Sequence, residues 1–420
     1  DPFPIIPFVR AYATVGAFAS QATLLTRPGG QPGARLFVTV RGDPSVTYFD
    51  VVDDRDPANP VSPCGSAFCL DCGGTGAGKR CSSAHLIGTD PFDNLRQVKL
   101  PTEPIGIDGL PIAGATGDPL VIAHQSSNQA SLVVNRWPDQ GPAGPTLEFA
   151  LTGLSDGPTG VAHIPPPKVI AARNGLASYS PGFIVTHRAA AELSVLRYLD
   201  DGRSEPERPF LVKAATVPIT VSATGNDSRG VAIDSSKRDA CEAKCDAQDV
   251  ACLTKCLDEP LDLYVASRAP ASLLTGRIEA VASTDKNLNL TSVTENVVIE
   301  NEIPLPVGPS NVAVGQVVDG NGKLVPRVFV VSFDSRFISV YDPHAPDAPP
   351  LVIRTGRGPF GIAFDSTPGD PGAGNAESYL YVSQFTDSYL SVVDLDERRR
   401  SFGSVVLNIG DPEPPKGEQR

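Results

Sequence analysis

Methionine is missing altogether from the 420 residues, a feature that composition does not explain. No signal-type leader opens the chain, so it reads as a processed or trimmed form. No apolar run approaches the about 18 residues needed to span a bilayer, which excludes a transmembrane helix. Positive charge is in deficit. Lys and Arg number 35 against 48 Asp and Glu, a net charge of −13, and that balance argues against a nucleic-acid-binding surface. No Walker loop, serine elbow or zincin motif is present, which sets aside the chemistry those motifs carry. The absence of C-x-x-C-H excludes covalent haem attachment by that motif.

What is abundant is punctuation. Gly 39 and Pro 41 are scattered between short apolar runs, the mark of many strands joined by turns. One phrase recurs: an apolar strand ending in a small or polar residue, a brief turn, then a second strand. Its clearest copies are LYVSQFTDSYLSVVDL (380–395) and VFVVSFDSRFISVYDP (328–343). Weaker copies begin at 36, 120, 183 and 263. A turn of P-x-G type and a short apolar strand precede most copies, as in PIGID (104–108), PTGVAH (158–163), SRGVAID (228–234), PSNVAVG (309–315) and PFGIAFD (359–365). In this reading Pro presets the turn and Gly supplies the freedom to close it. For the first unit, AYATVGAFAS (11–20) holds the corresponding strand. A fourth, outer strand completes each unit, with RQVKLP (96–101) serving the first and FGSVVLNIG (402–410) the last.

Repeated four-stranded units of this kind predict an all-β fold, a β-propeller with six blades, or seven as the alternative. The expected organisation is an extended proline-rich arm at 1–10, one propeller domain over 11–412 and a polar tail at 413–420. The segment LYVSQFTDSYLSVVDLDERRRSFGSVVLNIGDPEP resembles the YVTN-type repeat, with its YV-x-N, VSVID and IPVG-x-x-P-x-G-[VI]-A elements. At the fourth residue of YVTN this chain carries Val40, His124, His187, Ser267, Ser332 and Gln384, and no Asn. The resemblance implies a propeller, and in relatives of lyase or lactonase type a site at the channel mouth.

Surplus length falls at 52–95, 109–119, 164–182, 235–262, 316–327 and 366–378. In a blade running outward from the axis these all emerge on one face, while the opposite turns are short. Insertions gathered on one face mark a binding face, or equally neutral loop growth.

Eight cysteines lie in two clusters of four, which points to disulfides and an oxidising compartment. In DACEAKCDAQDVACLTKCLDEP (239–260) the pairs Cys241/Cys245 and Cys252/Cys256 are each spaced i, i+4 and share a helix face. Two short antiparallel helices would join Cys241 to Cys256 and Cys245 to Cys252, an arrangement that resembles the twin C-x3-C hairpin. The Gly-rich cluster of Cys64, Cys69, Cys72 and Cys81 reads as two disulfides of undetermined pairing, with a four-cysteine zinc site as the rival.

Candidate chemistry centres on His124 and His187 at matching repeat positions, His163 on an inner strand, and Arg41, Arg188 and Arg268 after the LYV-type strand. Imidazoles could move protons and guanidiniums could hold an anion at the channel mouth. The competing reading has these residues ending strands and bonding loops. Asp50, Asp342 and Asp394 read as turn residues rather than calcium ligands. No cofactor or metal is expected.

Two functions follow as expectations. The first is an extracytoplasmic scaffold or binding module, at a bacterial surface, the outer membrane or the periplasm. It would take a protein or polysaccharide partner, with a lipid tether upstream of the arm. The second is a propeller lyase or lactonase-like hydrolase using the His/Arg set.

Overall fold

The computed structural model describes residues 15–28, 33–53, 68–73, 80–94, 96–113, 115–138, 144–172, 179–200, 209–221, 227–286, 290–345, 348–366, 377–386 and 389–410. Six antiparallel sheets follow one another along the chain, and the strands of each sheet stand in chain order. This is a six-bladed β-propeller. Its residues fall into two compact units, the first comprising 1–218, 238–260 and 279–297, the second 219–237, 261–278 and 298–420.

In the first unit, blade one is built from β1 (Ala19–Thr26), β2 (Ala34–Val40), β3 (Ser45–Asp53), β4 (Phe68–Asp71) and β5 (Leu86–Ile87). Blade two holds β6 (Pro104–Gly109), β7 (Asp118–His124), β8 (Gln129–Arg136) and β9 (Gly144–Leu151). Blade three holds β10 (Pro158–His163), helix α1 (Lys168–Ala172), β11 (Gly182–His187), β12 (Glu192–Leu199) and β13 (Phe210–Pro218).

Blade four runs through β14 (Ser228–Asp234), helices α2 (Ser236–Glu242) and α3 (Val250–Lys255), then β15 (Leu261–Arg268), β16 (Ala271–Thr284) and β17 (Leu290–Pro304). In the second unit, β18 (Pro309–Val318), β19 (Leu324–Ser332), β20 (Phe337–Tyr341) and β21 (Leu351–Arg354) form blade five. Blade six is β22 (Pro359–Ser366), β23 (Glu377–Gln384), β24 (Tyr389–Asp394) and β25 (Val405–Ile409).

A middle strand of a propeller blade is covered on both faces, so alternate residues serve different cores. In β7, Leu120 and Ile122 join a core with Leu25, Phe37 and Ile107, while Val121 and Ala123 join one with Val161, Phe183 and Val185. All seven residues of β7 are buried, which is why it reads as a continuous apolar run rather than an alternating one. Blade five repeats the division in the second unit: Val328 and Val330 pack with Tyr264 and Val312, Phe329 and Val331 with Leu380 and Val382.

The first inner strand lies later than the sequence reading places it, beginning at Ala19 rather than occupying 11–20. Residues 96–101 form no strand. Asn94 closes that segment as a loop, its carboxamide bonding both the N–H and the C=O of Val98, with Gln97 at φ 52°. The outer edge of blade one is made instead by two short pieces, β4 opposite Asp50–Asp53 and β5 opposite Val46 and Thr47. The segment 316–327 is a pair of lengthened strands rather than a loop, with Val318 paired to Leu324.

The glycine of the P-x-G motif has a different task from the one expected. Gly106, Gly230 and Gly361 have no positive φ. A Cβ on Gly106 would overlap the carbonyl oxygen of Thr159 on β10, and one on Gly230 would lie 2.7 Å from the Asn311 Cα on β18. At Gly106 and Gly230 the missing side chain lets inner strands of neighbouring blades approach backbone to backbone, whereas a Cβ on Gly361 would meet Ser383 Oγ of its own blade at 3.1 Å. Gly106→Ala is therefore expected to lower stability by about 3 kcal/mol. Gly320→Ala, with nothing within 4 Å, should leave it within about 0.5 kcal/mol of the parent. Urea denaturation of the two variants measures the contrast.

Candidate functional site

Three additions to the repeat come together in the first unit. Helices α2 and α3 span seven and six residues, too short to persist alone. Asp249 caps α3 by accepting from the Cys252 N–H at 3.0 Å. Disulfides Cys241–Cys256 and Cys245–Cys252 join the two helices. The hairpin buries Leu253 and Leu257 against Val169 and Ile170 of α1, Tyr179, and Val293 of β17.

The third addition is the far end of the β16–β17 pair. β15 pairs with β16 only as far as Ile278, yet β16 continues to Thr284 and β17 starts at Leu290. Ala280 and Leu290 of this overhang pack on the same apolar cluster.

Charged groups are buried beneath this assembly. The Glu295 side chain from the overhang has no exposed surface; it accepts from the Tyr179 hydroxyl at 2.8 Å and pairs with Arg197 of β12. Glu242 of α2 accepts from the Lys168 N–H at 3.0 Å, tying the hairpin to the start of α1. Arg238, 2% exposed, donates through Nε to the Glu259 carbonyl. Burial pushes the Glu242 carboxyl up and the Arg238 guanidinium down, and burial together with the Glu295 charge holds the Tyr179 phenol well above its ordinary value. A buried ion pair of this kind is costly to break from either side.

The histidines expected at the channel mouth are placed otherwise. His124 and His187 end β7 and β11, fully buried, and each bonds a serine of the following strand: His124 Nε2 to Ser131 Oγ at 2.9 Å, His187 Nε2 to Ser194 Oγ at 2.8 Å. Gln384 makes the same bond to Ser391 in blade six, at 3.3 Å. The His187 Nδ1–H donates to the Ser155 carbonyl, which leaves Nε2 to accept. Burial lowers both imidazoles, His124 to about 4.

Arg41 pairs with Glu103 at 3.2 Å and Arg268 with Asp334 at 2.6 Å, while Arg188 is exposed and its backbone N–H donates to Gly157. Asp50, Asp342 and Asp394 each meet an arginine: Arg35, Arg327 and Arg399. Among the described residues no group of three His, Cys, Asp or Glu is arranged to hold a metal ion, and no helix is long and apolar enough to cross a membrane. Cys72 is joined to Cys81. Cys64 and the Cys69 side chain lie outside the described residues, as do the arm at 1–10 and the tail at 413–420.

His163 has a partner that no sequence motif announces. Asp108 of β6 reaches the inner strand of the next blade and accepts from both the backbone N–H and Nδ1 of His163, each at 2.8 Å. Its other oxygen accepts from Gly109 N–H at 2.8 Å and Thr23 Oγ1 at 3.3 Å. Burial opposes charge on both partners, but their mutual attraction outweighs it, raising His163 and lowering Asp108. With Nδ1 engaged, the imidazole is oriented while about a third of the side chain, 31%, stays exposed, an arrangement able to take up or release a proton.

The sequence matches no protein-family profile and no curated protein. The solved structures to which the chain is similar include the following two. BBS1N in complex with ARL6DN, soaked with lead, has a TM-score of 0.39 and 12% identity, covering 74% of this chain and 67% of that one. Citrobacter koseri AztD has a TM-score of 0.33 and 13% identity, covering 72% of each chain. Neither likeness carries an argument about function.

A buried neutral histidine penalises the folded state once the unfolded chain can protonate. The His124 contribution is present above its unfolded value of 6.5 and lost as pH falls toward its folded value of about 4. The loss should total about 3 kcal/mol. His124→Gln, which copies Gln384, is expected to keep the serine bond and remove that part of the acid-side slope. Stability measured by denaturant between pH 7 and 4 checks this.

Proposed function

We propose that the chain is an extracytoplasmic binding module in which a rigid propeller carries an ordered platform for a protein or polysaccharide partner. The observation that supports this reading is the shared core and buried charge network joining α1, the disulfide-linked hairpin and the β16–β17 overhang. Loops that had merely grown where they met no obstacle would have no reason to acquire a joint core. Three separate segments held in one arrangement lower the entropic cost of binding, because the surface is ordered before the partner arrives. Disulfides in two parts of the chain suit an oxidising compartment such as a bacterial cell surface or periplasm. On this reading a lipid tether upstream of the arm would hold the propeller at the surface.

A second reading, a propeller lyase or lactonase-like hydrolase, draws its support from the Asp108–His163 pair rather than from His124, His187 and the arginines. Its signature would be turnover abolished by His163→Gln.

Cross-linking through amines in the native envelope fraction tests the binding reading. Cross-links to one reproducible partner at Lys244, Lys255 and Lys286 are expected; cross-links confined to other lysines would contradict it. Glu295→Ala is expected to cost about 3 kcal/mol by leaving Arg197 unpaired. It should also weaken partner capture at temperatures where the propeller itself stays folded, read by far-UV circular dichroism alongside binding.

A further inference from the structure

A cleft of about 570 Å³ opens at the edge of blade one, away from the elements of the platform, within the size range of small-molecule sites. One wall is the segment that follows the Cys72–Cys81 disulfide and carries β5; the other is the start of β9, at Pro145–Leu147. The cleft exists because blade one lacks a continuous outer strand, β5 covering just Val46 and Thr47 on β3.

The chemistry of the lining narrows the ligand. Leu86, Ile87 and Leu147 supply apolar surface, hydroxyls and an amide supply polarity, Asp90 supplies the charge, and no Lys or Arg is among the described lining residues. An anionic ligand would meet the Asp90 carboxylate, and the Arg136 guanidinium behind Thr146 is already paired with Glu148. A wholly apolar ligand would bury hydroxyls without partners.

Several of the polar groups are already committed. The Tyr48 hydroxyl donates to the Ala84 carbonyl, Asn94 is closed on Val98, and Thr146 bonds Glu148 and Arg136. Asp90 Oδ1 accepts from the Phe92 N–H at 2.9 Å. Within the described residues, that leaves the Ser83 and Thr89 hydroxyls and Asp90 Oδ2 without a partner.

Phe92 is 79% exposed and lies outside the lining, two residues after Asp90 in the short turn that Asp90 caps. A free carboxylate oxygen and free hydroxyls set around Leu86, Ile87 and Leu147 match a ligand with an apolar C–H face and a rim of neutral hydroxyls. The wall is also preorganised: Tyr48 stacks on His85 with centroids 4.4 Å apart, and His85 Nδ1 bonds the Tyr48 carbonyl at 3.1 Å.

We propose that this cleft binds one or two rings of a neutral saccharide. Asp90 Oδ2 accepts from ligand hydroxyls, Ser83 and Thr89 complete the polar contacts, and Leu86, Ile87 and Leu147 meet a sugar face. The inference involves none of the platform residues, so either one can fail while the other stands.

The test titrates the intact oxidised chain with glucose, galactose, N-acetylglucosamine, cellobiose and chitobiose, and with glucuronate as the anionic control, by saturation-transfer NMR and calorimetry. At least one neutral sugar is expected to bind with Kd of about 1 mM, and glucuronate about tenfold more weakly than glucose. Asp90→Asn keeps the turn cap and is expected to weaken the neutral sugar about tenfold while narrowing the gap to glucuronate. Phe92→Ala, outside the lining, and Glu295→Ala should leave sugar binding unchanged. No saturation by any neutral sugar at about 50 mM, or binding indifferent to Asp90→Asn, would overturn the proposal.

Discussion

A carboxylate taken out of water has to be paired, and Glu295 is taken out completely. Its partners, Arg197 and Tyr179, belong to blade three, while Glu295 arrives on a strand of blade four. That obligation fixes the overhang against blade three. The apolar cluster around Val293 then has a floor on which the hairpin can settle, and the hairpin's own disulfides hold two helices that are otherwise too short to form. The ion pair supplies placement more than stability, because desolvation offsets much of its attraction.

The propeller beneath uses polarity differently. The residues at or next to the ends of the second strands, His124, His187, Ser267, Ser332 and Gln384, are all buried. His124, His187 and Gln384 each bond one serine, seven residues on. Neutral imidazoles with depressed pKa, spent on strand serines, suit structure better than proton transfer. The Asp108–His163 pair differs because the His163 side chain stays 31% exposed.

The parts of the fold visible in the sequence were those written locally. Each strand–turn–strand phrase lies within one blade, so its recurrence gave the blade number, and the i, i+4 cysteines gave the hairpin. Glu295 sits in TSVTENVVIENEIP, which reads as one alternating strand; nothing local says that its first half runs past the blade. Asp108 and His163 are 55 residues apart on different blades and form no motif. Residues 96–101 have the apolar alternation of a strand, but Asn94 satisfies the backbone of Val98 first and closes a loop. Gly106 and Gly230 were visible as turn residues, yet their reason is a neighbour from another blade, which a single repeat does not contain.

The proposed binding role depends on whether the three additions act as one body. Native-state hydrogen exchange on the oxidised chain measures this directly. Amides of 168–172, 236–255 and 290–297 should open together, with one free energy and one response to denaturant. Hairpin amides exchanging far faster than those of the overhang, with no shared opening, would show independent loops and contradict the platform.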